Sequence, residues 1–198
     1  RLCREYSDCI RGIKIRLCHE TVRGLPLESC LLKAVEIARM TGLPLVVHVA
    51  GAPFYQGDIA DMLSSGDVIC HVYQNRGETT TIIDLDGKVI PEMRAARARG
   101  VLMDSANATG NYCHDVALKA IADGFEPDII STDITTRSLF CANLSSSLPA
   151  NMSRMMAMGL PFKKVVSWVT SVPAKSLGME GRIGTLAPGA YADAVVCE

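Results

Sequence analysis

Leu43-Pro44-Leu45-Val46-Val47-His48-Val49-Ala50 is the stretch that decides the fold. It is nearly all apolar, which suits a parallel-sheet strand buried on both faces better than a strand with one wet side. Even extended to Phe54, as the longest apolar stretch of the chain, it falls short of the ~18 residues needed to cross a bilayer. Just before it, Leu27 to Met40 sets Leu31, Ala34, Val35 and Ala38 at helical spacing and closes on Gly42, a left-handed stop. Just after it, Asp58 to Ser64 reads as a short helix closed by Gly66, and Asp67-Val68-Ile69-Cys70-His71-Val72-Tyr73 as a second buried strand.

The alternation extends in both directions. Upstream, Gly12-Ile13-Lys14-Ile15-Arg16-Leu17-Cys18 has strand character, with aliphatic and long polar residues alternating between breakers. Downstream, Thr79 to Leu85 and Lys88 to Ile90 flank Asp86-Gly87, a hairpin signal. Pro91 to Arg99 follows as a helix with proline in its first turn and Gly100 beyond its end. Val101 to Asp104 is a strand, Cys113 to Asp123 a helix, and Asp128 to Asp133 a fifth strand. Strands alternating with helices predict an α/β fold around a parallel sheet with right-handed crossovers. Past Thr135 the expectation is a serine-rich loop to Pro149, then helices at Asn151 to Met158 and Phe162 to Thr170, the second interrupted by Pro173. The tail Ile183 to Val196 predicts a Pro188-Gly189 turn and a final strand outside the main sheet.

The chain's 198 residues, 48% of them hydrophobic, suffice for a substantial core. Twenty Lys and Arg stand against 21 Asp and Glu, scattered along the chain, for a net charge of -1, which argues against a nucleic-acid partner. The eight cysteines contain no Cys-x-x-Cys pair and several sit in apolar runs, the pattern of reduced thiols in a cytoplasmic protein. No stretch reads as a membrane span or signal peptide, so no membrane partner is expected. The chain opens on Arg1, and the expectation is a start internal to a longer protein.

In a parallel α/β sheet the carboxyl ends of the strands face the ligand, so polar residues there are candidates for chemistry. His48 and His71 both follow runs of Leu, Val and Ile, where an imidazole is costly to bury without partners. One such histidine is ordinarily a hydrogen-bonded core residue. Two at equivalent positions of successive strands point to a shared metal ion, zinc being well served by neutral imidazole. Asp133 closes Ile129-Ile130-Ser131-Thr132 and has two readings, a helix N-cap or a metal-ligating carboxylate that also moves protons. Asp104 reads as structural or as support for the ligands. Lys14 alone carries little weight, because an ammonium repels a cation.

Gly12-Ile13-Lys14-Ile15-Arg16, Val47-His48-Val49, Gly66-Asp67-Val68-Ile69-Cys70-His71 and Ser131-Thr132-Asp133 together resemble, in order and spacing, the amidohydrolase superfamily. The branch they resemble is the dihydroorotase-like deacetylase, or D-aminoacylase-like, metallohydrolases. Val172-Pro173-Ala174-Lys175-Ser176-Leu177-Gly178 and the tail Ile183 to Asp193 resemble that branch's C-terminal signature. The resemblance implies a parallel (β/α)8 TIM-type barrel, of which the five strands read here would be strands four to eight. Residues 1–180 would then be a partial barrel, and 181–198 a C-terminal β segment of a small β domain. It further implies two divalent metals, usually zinc, bridged by a carbamylated Lys14. His48 and His71 would complete one metal site, while Asp133 would ligate the second metal and act as catalytic base and then acid. Two features depart from the family. The His-x-His of its first barrel strand is missing, and Asn107 stands where relatives often carry the histidine of Gly-His-Gly.

The function so implied is metal-dependent hydrolysis of a C–N bond in a small amide or cyclic amide, such as an N-acyl or dihydroorotate-like compound. Arg16 and Asn107 are the candidate substrate contacts, arginine because its planar fork suits a carboxylate. The partner expected is a small-molecule substrate, together with further copies of the chain in a homo-oligomer. A rival reading is an inactive piece of barrel with a structural or association role, since five strands cannot close an eight-stranded barrel. A nonenzymatic ligand-binding protein fits the fold but gives His48, His71 and Asp133 no reason to recur at strand ends.

Overall fold

The computed structural model describes residues 1–76, 81–107, 110–140 and 147–196, with only the backbone described at Arg137. Two short helices, α1 (Leu2–Glu5) and α2 (His19–Val22), flank strand β1 (Ile13–Arg16). Helix α3 (Leu27–Thr41) leads to β2 (Leu45–His48), and α4 (Gln56–Asp61) to β3 (Val68–Cys70). Helix α5 (Pro91–Ala98) precedes β4 (Leu102–Asp104), which is followed by α6 (His114–Ala122). Helices α7 (Thr136–Leu139), α8 (Leu148–Ala157), α9 (Phe162–Val169) and α10 (Ser171–Ser176) complete the order. The four strands form one sheet in sequence order, and every pairing is parallel. The α/β expectation holds.

The pleat sorts the strands into two faces. Leu45, Val47, Ile69 and Met103 are buried on one face, in a core shared with Leu31, Ala34 and Ala38 of α3 and with Met93 and Ala96 of α5. Leu27, Leu31, Ala34 and Ala38 form the inward stripe of α3, and Gly42 ends that helix at φ 68. On the opposite face Lys14 pairs with Val46, and Arg16, His48, Cys70 and Asp104 share one register line across the sheet. That line runs along the carboxyl ends of all four strands. Lys14 and Arg16 on this face are exposed, whereas His48, Cys70 and Asp104 are buried.

Three expectations change. The fifth strand is reduced to one parallel bridge, Asp104 to Ile129. Backbone bonds still join the two segments, Ile129 N–H donating to Met103 O, Ser105 N–H to Ile129 O and Asn107 N–H to Ser131 O. The N–H of Ile130 points the other way, to Trp168 O, and Ala106 takes φ 37. The tail forms no strand among the described residues. Tyr191 folds back, its N–H donating to Arg182 O and its ring lying under the Arg182 guanidinium, while Val195 and Val196 stay exposed without a partner strand. Pro173 sits in the first turn of α10, where its missing N–H costs nothing, so it helps to start a helix as well as to break one. The hairpin survives as an antiparallel bridge between Ile83 and Val89, although Thr79 and Thr80 lie outside the described residues.

Asp123 ties this hairpin to the helices around it. Its carboxylate accepts from Val89 N at 2.9 Å and pairs with Lys88 and Arg94. The Val89 N–H first, and then these cations, draw its pKa down from 3.8 to about 2. A depressed carboxylate stabilises the fold above its unfolded pKa, and that contribution fades as pH falls through the folded value. Between pH 4 and pH 2, thermal unfolding followed by circular dichroism should therefore show a shallower acid destabilisation for Asp123→Asn than for the native chain. Parallel pH profiles would refute this.

Candidate metal centre

Two histidines, each delivered by the end of a strand, meet above the sheet. His48 is the last residue of β2 and His71 directly follows β3, and their ring centroids lie 4.4 Å apart, edge to face. Both are buried. Desolvation, helped by His71 and Arg16 nearby, pushes the His48 pKa down to about 3. Burial also lowers His71, against the pull of the Ala106 carbonyl and Asp133. Both imidazoles are therefore neutral near pH 7, the form in which histidine binds a metal.

Hydrogen bonds then decide which nitrogen of each ring is free. His71 Nδ1 donates to Ala106 O at 2.8 Å, which leaves Nε2 as a bare lone pair. That Nε2 is buried, has no hydrogen-bond partner, and lies 3.6 Å from Asp133 Oδ2. The separation is too long for a hydrogen bond, and two lone pairs facing each other repel unless a cation lies between them. His48 Nε2 donates to Ala50 O at 3.1 Å, leaving Nδ1 as its free lone pair. An orphaned nitrogen opposite a carboxylate, beside a second neutral imidazole, fits a divalent cation by donor chemistry.

The other sequence candidates fall around this centre. Lys14 stands on the same sheet face, and His48, His71, Cys70 and Asp104 all feel its charge. Arg16 lies beside His48 in register, its Nε donating to Cys18 Sγ at 2.9 Å. Asn107 is buried, and neither its amide oxygen nor its amide nitrogen has a partner. Asp133 is partly exposed, adopts φ 45, and receives Asn111 Nδ2 at 3.4 Å. His71 thus meets both His48 and Asp133, and Lys14 acts on the two histidines through its charge. Among the described residues, no group of three His, Cys, Asp or Glu side chains is gathered closely enough to hold a metal by itself.

Strain collects at the same place. Among the described residues, Arg23, His71, Ala106 and Asp133 are the non-glycine residues at positive φ, and all but Arg23 belong to this centre. Such conformations cost of order 1–3 kcal/mol each and persist where the surroundings enforce them. Three supporting residues escaped the sequence reading. Ala106 supplies the carbonyl that fixes His71, and Asn111 links Asp133 to Arg76, whose Nη1 donates to Asn111 Oδ1 at 3.2 Å. Ser131 donates its hydroxyl to the buried Asp104, whose pKa burial raises to about 6.

The sequence profile of the amidohydrolase family matches residues 27–198. The chain belongs to the amidohydrolase family. It is 30% identical over 182 residues to a deacetylase of Agrobacterium fabrum, covering 90% of this chain and 43% of that protein. A deacetylase of Enterococcus faecalis is 28% identical over 196 residues, covering 97% of this chain and 51% of that protein. Among solved structures, the crystal structure of an adenine deaminase superposes with a TM-score of 0.86 at 27% identity, over 96% of this chain and 51% of that one. That of a dihydroorotase gives 0.79 at 28% identity, over 92% and 48%. This amidohydrolase chain spans about half the length of the relatives it matches. None of its described helices is long and apolar enough to cross a membrane.

Proposed function

We propose that this chain carries half of the active site of a metal-dependent amidohydrolase that cleaves a C–N bond in a small amide or cyclic amide, with N-acyl compounds the favoured substrates. One observation carries the reading: a buried, unprotonated His71 Nε2 faces Asp133 Oδ2 at 3.6 Å, with the neutral His48 ring at its side. The deacetylase names of the relatives support the N-acyl class. A divalent cation bound here, zinc by preference, would polarise the scissile carbonyl and lower the pKa of water to around 7. His48 would hold it through Nδ1 and His71 through Nε2, and a carbamylated Lys14 would bring an anionic ligand from the neighbouring strand.

The remaining roles belong to the chain's own groups. Asp133 is exposed enough to meet substrate, and its carboxylate takes a proton from the attacking water and returns it to the departing nitrogen. Asn107 offers a buried amide with both atoms unpaired, suited to a substrate carbonyl or N–H. Arg16 offers a fixed positive charge for a carboxylate. The working protein is read as a cytoplasmic homo-oligomer, with residues 1–180 in the barrel and 181–198 in the small β domain.

Zinc content and amide hydrolysis, measured on the whole protein with and without Lys14→Ala, test this. The variant should lose bound zinc and most of its activity. Equal zinc and equal hydrolysis in both would remove the lysine from the site. A second reading, a barrel piece with an association role, is favoured by the sheet's first edge, since among the described residues β1 pairs with β2 alone. Light scattering on the 198-residue chain separates the two, because a metal-replete monomer would exclude association.

A further inference from the structure

Asp104 takes no part in the chemistry above, yet it is tied to the centre from below. It ends β4, in register with Cys70 and through it with His48. Its side chain is buried, and Oδ1 accepts the N–H of Ala106 at 3.0 Å. The Ser131 hydroxyl lies within bonding distance of both oxygens, at 3.0 and 2.8 Å. The bond from Ala106 closes an Asx turn across two residues and holds Ala106 at φ 37, a conformation that favours glycine. The carbonyl of this same Ala106 accepts His71 Nδ1–H. One residue on, Asn107 N–H donates to Ser131 O at 3.1 Å, so both ends of the turn are anchored to the segment carrying Ser131.

We propose that Asp104 is a positioning residue that selects the tautomer of His71, clamping the Ala106 turn so that its carbonyl takes the Nδ1 proton and Nε2 is left bare. The choice matters because the opposite tautomer has a ready acceptor. With its proton on Nε2, His71 would point an N–H at Asp133 Oδ2, and that proton would occupy the place a cation needs. An oxygen faces each ring nitrogen, Ala106 O at Nδ1 and Asp133 Oδ2 at Nε2, so the ring proton has two places to go. At 2.8 Å the Ala106 carbonyl tips that choice toward Nδ1, and its turn is held in position by the carboxylate of Asp104.

The consequence for metal rests on the metal-centre reading, whereas the tautomer itself can be read without metal. Long-range proton–nitrogen correlation spectra of the metal-free chain should place the His71 proton on Nδ1. Asp104→Asn should keep it there, because its amide oxygen can still accept from Ala106. Asp104→Ala should move the proton to Nε2 or mix the two forms. Asp104→Glu is the second variant should alanine fail to fold. It keeps the carboxylate, but its longer arm cannot close the same turn, so it too should lose the Nδ1–H form. In parallel, zinc affinity measured by chelator competition should fall about 10–100-fold in the Ala and Glu variants and stay near native in the Asn variant. A native His71 carrying its proton on Nε2, or a Glu variant with native tautomer and affinity, would overturn the proposal. A native chain that binds no zinc yet keeps the Nδ1–H form would sink the metal reading and leave the role of Asp104 standing.

Discussion

Asp67→Ala should cost the chain about 3–5 kcal/mol, the sum expected from leaving two backbone donors without their acceptor at about 1–3 kcal/mol each. Asp67 is fully buried at the start of β3. Arg39 reaches it with both terminal nitrogens, Nη1 to Oδ1 at 3.1 Å and Nη2 to Oδ2. The carboxylate also accepts Leu45 N and Ser64 N, each at 2.9 Å, while the Asp67 carbonyl accepts Leu102 N at 2.8 Å. One residue thus joins the amino ends of β2, β3 and β4 to the end of α3. The guanidinium, 40% exposed, can return to water when the carboxylate is lost, but the buried N–H of Leu45 cannot. Most of the cost therefore sits on the backbone donors. Asp67→Asn keeps one acceptor oxygen and should lose about half as much, of order 2 kcal/mol. Urea denaturation reads both. A loss below about 1 kcal/mol for alanine would put the pair in the class of surface ion pairs and refute its role as a tie.

The contrast between Asp67 and the residues around it explains what the sequence can disclose. The run Leu43 to Ala50 is legible because burial on both faces of a strand needs apolar residues at every position, a local rule. The run at Asp128 to Ser131 obeys the same rule and misleads, because a strand also needs a neighbour that stays extended. Ala106, 24 positions from Ile130, takes φ 37, so the two segments keep backbone bonds on either side of it but only one regular bridge. Val195 and Val196 carry strand character and stay exposed, since no partner strand reaches them among the described residues. Asp67 reads as an unremarkable strand start. Ser64 is a local partner, but Arg39 and Leu45 lie 28 and 22 positions away, and no local pattern announces them.

The centre divides along the same line. His48 and His71 are legible because polar residues at the ends of apolar strands break a local pattern, and the register places Arg16, His48, Cys70 and Asp104 side by side as parallel pairing requires. Illegible is the support beneath them. The bond that fixes His71 spans 35 positions and ends on an alanine carbonyl, a group every residue possesses. Asn111 likewise bridges Arg76 and Asp133, 35 and 22 positions away. Donor types are written in composition and period, whereas the free lone pair on each donor is set by tertiary contacts.

The four histidines of the chain make the sharpest functional test. His48 and His71 are buried at the strand ends, whereas His19 and His114 are exposed at the starts of α2 and α6. In the whole protein, His71→Ala should cut amide hydrolysis by more than about 100-fold, beyond what losing a supporting contact to a ligand costs. Zinc content should fall with it. His48→Ala should behave alike, since each imidazole supplies one neutral lone pair to the same position. His19→Ala and His114→Ala should leave zinc and rate at native values, because both stand exposed at helix starts, away from the strand-end centre. The cobalt-substituted protein adds a spectroscopic check, as replacing a nitrogen donor alters the visible absorption of the bound metal. If His71→Ala keeps both its zinc and its rate, then the lone pair facing Asp133 is not a ligand, and the repulsion at 3.6 Å must be relieved by a proton shared between them.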